Sequence, residues 1–439
     1  MFKTIRNAWA IPDLRKKILF TILIIILFRV GSVIPVPFLD MDALSALMAP
    51  LQDVTQQASQ SFVAYLNTLS GGAFANATIF AMGITPYINS SIIMQLLCVA
   101  IPALERLSKE GEDGRKKIAT ITRYVTVVLG LIQGTAFFFY LRAEKITVYR
   151  EGFSQIFAAV AIILCFTAGT ALIMWMGEQI NKNGIGNGIS MILFAGIVAR
   201  LPFTVRQLVM YWGLGEQSPS FYATVPVWVL LFLAVIWFIT FMQDAERRIP
   251  VQYAKKVVGR KMYGGQSTHL PIKVTLGGVM PIIFASSILS IPSTISMFVD
   301  TADKPFWASF FQLFNSESWL YAIVYFVLIL MFAYFYTTIQ YNPIEMANNL
   351  KQNNGTVPGI RPGRPTADFI AKILSRITLI GALFLAVIAL LPIAYSGITG
   401  LAGLSMGGTS VIIIVGVALD TAKQLESQMM MRHYKGFLD

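Results

Sequence analysis

The 439-residue chain is poor in charge: 13% of its residues are Asp, Glu, Lys or Arg, where soluble proteins carry about 25%. That shortfall excludes a row of about three soluble domains, the arrangement such a length otherwise suggests. Too little polar surface exists to cover them. Histidine and cysteine are scarcer still: His269, His433, Cys98 and Cys165. Both cysteines sit in apolar runs, so neither a disulfide framework nor a cysteine- or histidine-based metal site is expected. A Walker loop is missing, because Gly111-Glu112-Asp113-Gly114-Arg115-Lys116-Lys117 lacks the spacing, and no G-x-S-x-G or H-E-x-x-H run occurs. The chain is therefore expected to hold no catalytic set, no metal and no cofactor, and not to be an enzyme. Disorder is excluded by an apolar content of 56%. With a mean hydropathy of +0.66, the class left is a polytopic membrane protein.

A membrane-spanning helix needs about 20 mostly apolar residues. Ten such runs occur, at 18–35, 76–100, 118–141, 153–176, 188–206, 222–242, 275–298, 319–340, 369–391 and 408–424. The first has a basic approach, Arg15-Lys16-Lys17, as a secretion signal would. It is followed by Val33-Ile34-Pro35-Val36-Pro37 rather than by small residues, so it reads as a retained helix. Ten spans put both termini on one side. With the N-terminus inside, 25 Lys and Arg fall on the cytoplasmic side and 6 on the outer side. Basic residues favour the cytoplasmic side, so both termini are expected there, and the net charge of +12 records topology.

The segment 62–75 fits no simple span. Phe62-Val63-Ala64-Tyr65-Leu66-Asn67-Thr68-Leu69 is apolar but too short to cross, and Gly71-Gly72 break it. Non-helical backbone at membrane depth is tolerated where it is buried in protein or lines a cavity. The segment reads as a re-entrant half-helix on the outer side, with a surface amphipathic loop as the alternative.

Two patterns recur between the halves. Gly83-Ile84-Thr85-Pro86 and Ile88 in the second span match Gly278-Val279-Met280-Pro281 and Ile283 in the seventh at an offset of 195. Gly188, Ser190 and Gly196 in the fifth match Gly408, Ser410 and Gly416 in the tenth at an offset of 220. Each pair lies five helices apart, and an odd number of helices inverts the second copy. The expected fold is an all-α membrane protein of ten transmembrane helices in two inverted five-helix halves. In such folds the pathway lies between the halves, near the midplane, at interrupted helices. The halves are expected at 1–206 and 222–424, with an outer connection at 207–221 and a cytoplasmic tail at 425–439.

Carriers coupled to ions place ionisable groups within their spans. Here no carboxylate occupies the middle of the second, fifth, seventh or tenth span, which argues against a proton- or sodium-coupled carrier, the competing class. Arg29 lies well inside the first span, with a stem long enough to snorkel to the interface. The repeated elements carry aliphatic residues instead: Ile84, Ile88, Ile189, Leu193, Ile283 and Ile413. Such side chains converging on a cavity form a constriction that gates by dewetting. Ordinary packing against lipid or neighbouring helices is the alternative, and spacing alone leaves it open. Ser90, Ser91, Gln95, Ser286 and Ser287 are candidates for a polar seam between the second and seventh spans. Such pairs contribute about 0.6–2 kcal/mol in membranes.

Two inside loops are long and basic. The first, 244–273, carries Arg247, Arg248, Lys255, Lys256, Arg260 and Lys261, and its run Ile249–Tyr253 reads as a β-hairpin edge. The second, 341–372, carries Gly359-Ile360-Arg361-Pro362-Gly363-Arg364-Pro365-Thr366, whose prolines and glycines stiffen it into a protruding shape. Seven and four basic residues exceed what topology needs and suit a large acidic partner, RNA or an acidic protein surface.

These runs carry a family likeness. Ile79-Phe80-Ala81-Met82-Gly83-Ile84-Thr85-Pro86-Tyr87-Ile88, closed by Gln95-Leu96-Leu97, resembles the second-helix signature of the SecY family, the pore subunits of the bacterial protein translocase. Met176-Gly177-Glu178-Gln179-Ile180 with Gly184-Ile185-Gly186-Asn187-Gly188-Ile189-Ser190 resembles its fifth-helix signature, and Gly359–Gly363 its last long cytoplasmic loop. The likeness covers essentially the whole chain. It implies a ten-helix clamshell in the bacterial cytoplasmic membrane, passing unfolded secretory chains between its halves and releasing signal and transmembrane segments sideways into the bilayer. Its pore ring falls on Ile84, Ile88, Ile189, Leu193, Ile283 and Ile413. Its plug falls on about 62–75, with Phe62, Tyr65, Leu66, Asn67, Leu69, Gly71 and Gly72. Its lateral gate runs near Gln95, Ser90, Ser91, Ser286 and Ser287. Arg247, Arg248, Lys255, Lys256, Arg260, Lys261, Arg361 and Arg364 are the implied contacts for the SecA ATPase or the ribosome. SecE and SecG are the implied subunits of a heterotrimer.

Overall fold

The computed structural model describes residues 2–45, 70–149, 151–213, 215, 219–253, 256–258, 261–263, 267–296, 318–399 and 408–435. Its elements run α1 (Phe2–Ala10), α2 (Pro12–Gly31), α3 (Thr85–Ala100), α4 (Pro102–Lys109), α5 (Glu112–Ala143), α6 (Gly152–Asn183), α7 (Gly188–Val198), α8 (Leu201–Gly213), α9 (Ser220–Asp244), β1 (Glu246–Tyr253), β2 (Lys256–Val258), β3 (Lys261–Tyr263), β4 (Ser267–Lys273), α10 (Met280–Ser296), α11 (Trp319–Gln340), α12 (Pro343–Gln352), β5 (Gly355–Thr356), α13 (Arg364–Thr399) and α14 (Gly408–Lys435). The ten expected spans fall in order on α2, α3, α5, α6, α7 with α8, α9, α10, α11, α13 and α14. The fifth span continues as helix to Gly213, so the expected connection at 207–221 begins inside α8.

Among the described residues, six helices or helix pairs are long and apolar enough to cross a membrane unaided; α3 and α4 pass the same test only together, across a bend of 102°. The bend has a local cause. Ile101 precedes Pro102 and is extended, with φ −107° and ψ 113°, as a residue before proline prefers. Of the remaining spans, α2 opens on Asp13, Arg15, Lys16 and Lys17 and contains Arg29, and α14 carries Asp420 and Lys423.

The other shortfall is at α3 and α10, which begin later than their apolar runs. The second run opens at 76 and its helix starts at Thr85; the seventh opens at 275 and its helix starts at Met280. Gly83 (φ +58°) and Gly278 (φ +56°) explain both. Each takes the left-handed conformation that a right-handed helix cannot pass through. Pro86 and Pro281 then follow in the first turn, where a missing N–H costs nothing.

Residues 70–84 run as turns, yet Asn76 is the one exposed residue among them. Their backbone polar groups are met inside the protein. Val36 N–H donates to Ala77 O at 3.1 Å, Ile79 N–H to Ile34 O at 3.0 Å and Thr78 N–H to Ala73 O at 3.1 Å. Arg29 points inward here rather than snorkelling: its Nη1 donates to the Gly71 carbonyl at 3.2 Å. The plug positions Phe62, Tyr65, Leu66, Asn67 and Leu69 lie outside the described residues.

One apolar core joins residues of both halves, from Ile24, Phe28 and Phe80 through Ile173 and Ile192 to Ile282, Phe332, Leu385 and Ile412. Phe28 stacks on Phe80 at 5.8 Å. Glycines let backbones approach, as in other membrane bundles: a Cβ on Gly188 would stand 1.9 Å from the Gly177 carbonyl. The short helix α1 was not expected. Ala8, with Leu14, packs on Ile185 and Leu425, joining the first residues to α14.

Strands, among the described residues, occur only between the sixth and seventh spans and between the eighth and ninth. They form a three-stranded antiparallel sheet in the order β4-β1-β5 and a β2-β3 ladder. β1 covers the expected hairpin edge at Ile249–Tyr253, pairing Ile249 with Leu270 and Val251 with Thr268.

Candidate functional site

The interrupted helices meet where the two halves face each other. A cavity there is lined by Thr85 and Ile88 of the second span, Leu193 of the fifth, Ile283, Ser286 and Ser287 of the seventh, and Thr409 and Ile413 of the tenth. It leaves about 10 Å³ for the centre of a water-sized sphere, roughly one water. Four of the six expected ring residues, Ile88, Leu193, Ile283 and Ile413, line it. Ile84 is buried beside it in the same core, and Ile189 packs on that core half-buried. Four of the eight lining residues are aliphatic and four carry hydroxyls, but the surface they present to the cavity is mostly apolar.

Each wall is set by its helix start. Gly83 and Gly278 place α3 and α10 so that Ile88 and Ile283 follow at the same distance. The fifth span is set by Asn187, whose Oδ1 accepts from Ile189 N–H at 3.1 Å and Ser190 N–H at 3.4 Å. This is the usual N-cap role of Asn. Asn181 Oδ1 accepts the Gly188 N–H at 2.7 Å and closes the turn from the fourth span.

Two wall residues went unnoticed in the sequence, Thr85 and Thr409. Their signal was weak but present: Thr85 lies inside the repeated Gly-x-x-Pro element, and Thr409 follows Gly408 of the second repeat. The seam residues divide. Ser286 and Ser287 line the cavity itself, beside four of the expected ring residues. Ser90 is fully buried and donates to the Pro86 carbonyl at 2.8 Å. Gln95 Nε2 donates to Ser91 Oγ at 3.4 Å, and Ser286 Oγ to the Ile283 carbonyl at 3.0 Å. Each of these three bonds is internal to one helix, although α3 and α10 are in contact.

At the basic end the two long loops, separate in the sequence, form one body. β5 of the second loop pairs with β1 of the first, Gln252 opposite Thr356 and Tyr253 opposite Gly355. Ile249 and Ile272 pack with Val357 and with Ile370, Leu374 and Ile377 of the ninth span. Arg247, Arg248, Arg361 and Arg364 are exposed on this body. Arg248 Nε bonds Glu246 Oε1 at 2.7 Å. Arg361 sits between two left-handed glycines, Gly359 (φ +82°) and Gly363 (φ +102°), and its carbonyl accepts from Thr366 Oγ1 at 2.8 Å. Lys256 and Lys261 lie on the β2-β3 ladder, paired with Tyr263 and Val258. Lys255 and Arg260 lie outside the described residues. On α4, before the third span, a hydrogen bond from Lys109 at 2.6 Å, with that cation's charge, holds the Glu105 carboxyl below its usual range.

Interrupted helices, an apolar closure between two halves and a basic protruding body are the features of a multi-span membrane channel. A family model described as SecY matches residues 78–422, and the chain belongs to the SecY family. It is 45% identical to the protein translocase subunit SecY of Bacillus subtilis (strain 168), over 100% of both chains. Among solved structures it resembles a channel described in the words "The plug domain of the SecY protein stablizes the closed state of the translocation channel and maintains a membrane seal", with a TM-score of 0.62 at 15% identity, covering 94% of this chain and 92% of that one. It also resembles Sec61 in the canine ribosome-channel complex from the endoplasmic reticulum, with a TM-score of 0.59 at 15% identity and the same coverage. At these identities the structural likeness speaks to the fold, a ten-helix clamshell.

Proposed function

We propose that this chain is the central channel subunit of a bacterial protein translocase, a passive conduit for unfolded polypeptide across the cytoplasmic membrane. The observation that carries the reading is the cavity between the second, fifth, seventh and tenth spans, closed by Ile88, Leu193, Ile283 and Ile413 to about the volume of one water. Ile84 and Ile189 complete the ring from its edges. An apolar ring this narrow excludes water and ions by dewetting. It yields to a polypeptide, because aliphatic side chains give up only contacts with one another, which the passing chain replaces.

Signal and transmembrane segments leave sideways between the second and seventh spans. The bonds of Ser90, Ser91, Gln95 and Ser286 described above lie within single helices, so parting α3 from α10 leaves them intact. The segment 62–75, which includes Gly71 and Gly72, acts as the plug from the outer side. The halves are 1–206 and 222–424, both termini face the cytoplasm, and SecE and SecG complete a heterotrimer. Driving energy comes from partners docked on the exposed arginines, Arg247, Arg248, Arg361 and Arg364, with Lys255, Lys256, Arg260 and Lys261 of the first loop as further contacts. The partners are the SecA ATPase and the ribosome.

The test is crosslinking. Cysteines are placed singly at Ile88, Leu193, Ile283 and Ile413, with Cys98 and Cys165 replaced, and a secretory chain is stalled in transit. Crosslinks from all four positions to the stalled chain are expected. Crosslinks from none of them, with the chain protected in the channel, would overturn the ring.

A further inference from the structure

The segments that enter α3 and α10 are held by the same pair of contacts. Ile79 and Val274 are related by the 195 offset that relates Gly83 to Gly278. The Ile79 N–H donates to the Ile34 carbonyl, just past α2, at 3.0 Å; the Val274 N–H donates to the Ala245 carbonyl, just past α9, at 2.9 Å. The carbonyl of each residue abuts a buried glycine. A Cβ on Gly169 of the fourth span would stand 1.9 Å from the Ile79 oxygen, and one on Gly381 of the ninth would stand 2.5 Å from the Val274 oxygen. The first and sixth spans, like the fourth and ninth, are five helices apart. The glycines lie in dissimilar sequence, so the internal repeat did not reveal them. The contacting atoms are backbone, which cannot swing away as a side-chain end does.

We infer that Gly169 and Gly381 are paired positioning residues, seats that set the depth at which the ring-bearing helices α3 and α10 begin. Ile79 lies nine residues before Ile88, and Val274 nine before Ile283. Real Cβ contacts stay beyond 3.0 Å, so an added methyl at Gly169, 1.9 Å from the Ile79 oxygen, displaces that carbonyl by roughly an ångström, and one at Gly381, 2.5 Å from the Val274 oxygen, displaces it by about half that. The displacement is carried through Gly83 or Gly278 to the ring residue of that half. A packed ring with room for about one water does not absorb it.

The inference rests on the ring reading, and its test separates the two. Ile88→Cys and Ile283→Cys are made singly in the assembled channel, with Cys98 and Cys165 replaced, and their reaction with a water-soluble maleimide is timed. Gly169→Ala is expected to speed labelling at Ile88→Cys severalfold and leave Ile283→Cys unchanged; Gly381→Ala is expected to do the reverse, to a smaller degree. Gly130→Ala is the control, because its methyl meets Thr170 at an ordinary 3.5 Å; it is expected to change neither. If Gly169→Ala does not assemble, Gly381→Ala, with the smaller displacement, carries the test. Unchanged labelling in the assembled variants, or an equal rise at both cysteines as general loosening would give, overturns the seats. Failure of a stalled chain to crosslink to the ring positions overturns the ring alone, since half-specific labelling reports helix depth whatever passes through.

Discussion

At the constriction, Ile88, Leu193, Ile283 and Ile413 close a cavity by apolar contact, while at the basic end Arg247, Arg248, Arg361 and Arg364 stand exposed on a body of strands and turns. The two regions use different physics. Closure by dewetting depends on side-chain polarity and on helix depth to within an ångström, and salt barely touches it. Docking through exposed charge acts over about 8–10 Å, tolerates imprecise geometry and weakens as salt rises. A channel needs both: a seal that ignores the ionic medium and a surface that reads a partner. Substitutions at one region should therefore leave the other's signature unchanged.

The largest break is expected at Arg361. Reversing its charge places like charges against an acidic partner surface, at a cost of several kcal/mol. Arg361→Glu should lower ATP-dependent export in proteoliposomes on the order of a hundredfold, with the channel assembled and its ring labelling unchanged. Normal export would remove Arg361 from the docking surface.

The ring comes next, with the opposite sign. Ile88→Asn or Ile413→Asn puts an amide where apolar carbons meet, and the altered hydration is worth about 1–3 kcal/mol. Export of a precursor with a defective signal should rise roughly tenfold, while that of a normal precursor stays near its original rate. An unchanged defective precursor would count against the ring. A third measurement sharpens the comparison without mutation. Raising salt from about 50 to about 200 mM should weaken partner binding severalfold and leave leakage through the Ile88→Asn channel as it was.

How much of this was legible in the sequence differs between the regions for a physical reason. Apolar runs about 20 residues long announce spans because lipid demands them, and two offsets pointed to the four helices lining the constriction. The late starts of α3 and α10 were missed although Gly83 and Gly278 were in view: a glycine permits a positive φ without requiring one, and only the surrounding contacts decide. The inward turn of Arg29 to the Gly71 carbonyl likewise depends on where another segment lies. The union of the two basic loops was invisible because β1 and β5 pair across about a hundred residues, and β5 is only Gly355–Thr356. Two residues carry no periodicity to read.

The smallest expected effect falls on the turn that presents Arg361. Thr366 is 3% exposed, and its hydroxyl donates to the Arg361 carbonyl at 2.8 Å. Such a bond contributes about 0.5–1.5 kcal/mol net. Removing it leaves the Arg361 carbonyl with an unmet acceptor at an exposed residue, where water replaces the donor, so the lower half of that range applies. The left-handed conformations of Gly359 and Gly363 keep the turn's shape, and the guanidinium keeps its charge. Thr366→Ala should therefore weaken partner-driven export only about two- to fivefold, with the same salt dependence as the parent channel and no change at the ring. Thr366→Ser, which keeps the donor, should restore most of the loss. A loss as deep as that of Arg361→Glu would mean that turn geometry, rather than the charge it carries, does the docking, and the contrast between a precise seal and a tolerant charged surface would fail at its basic end.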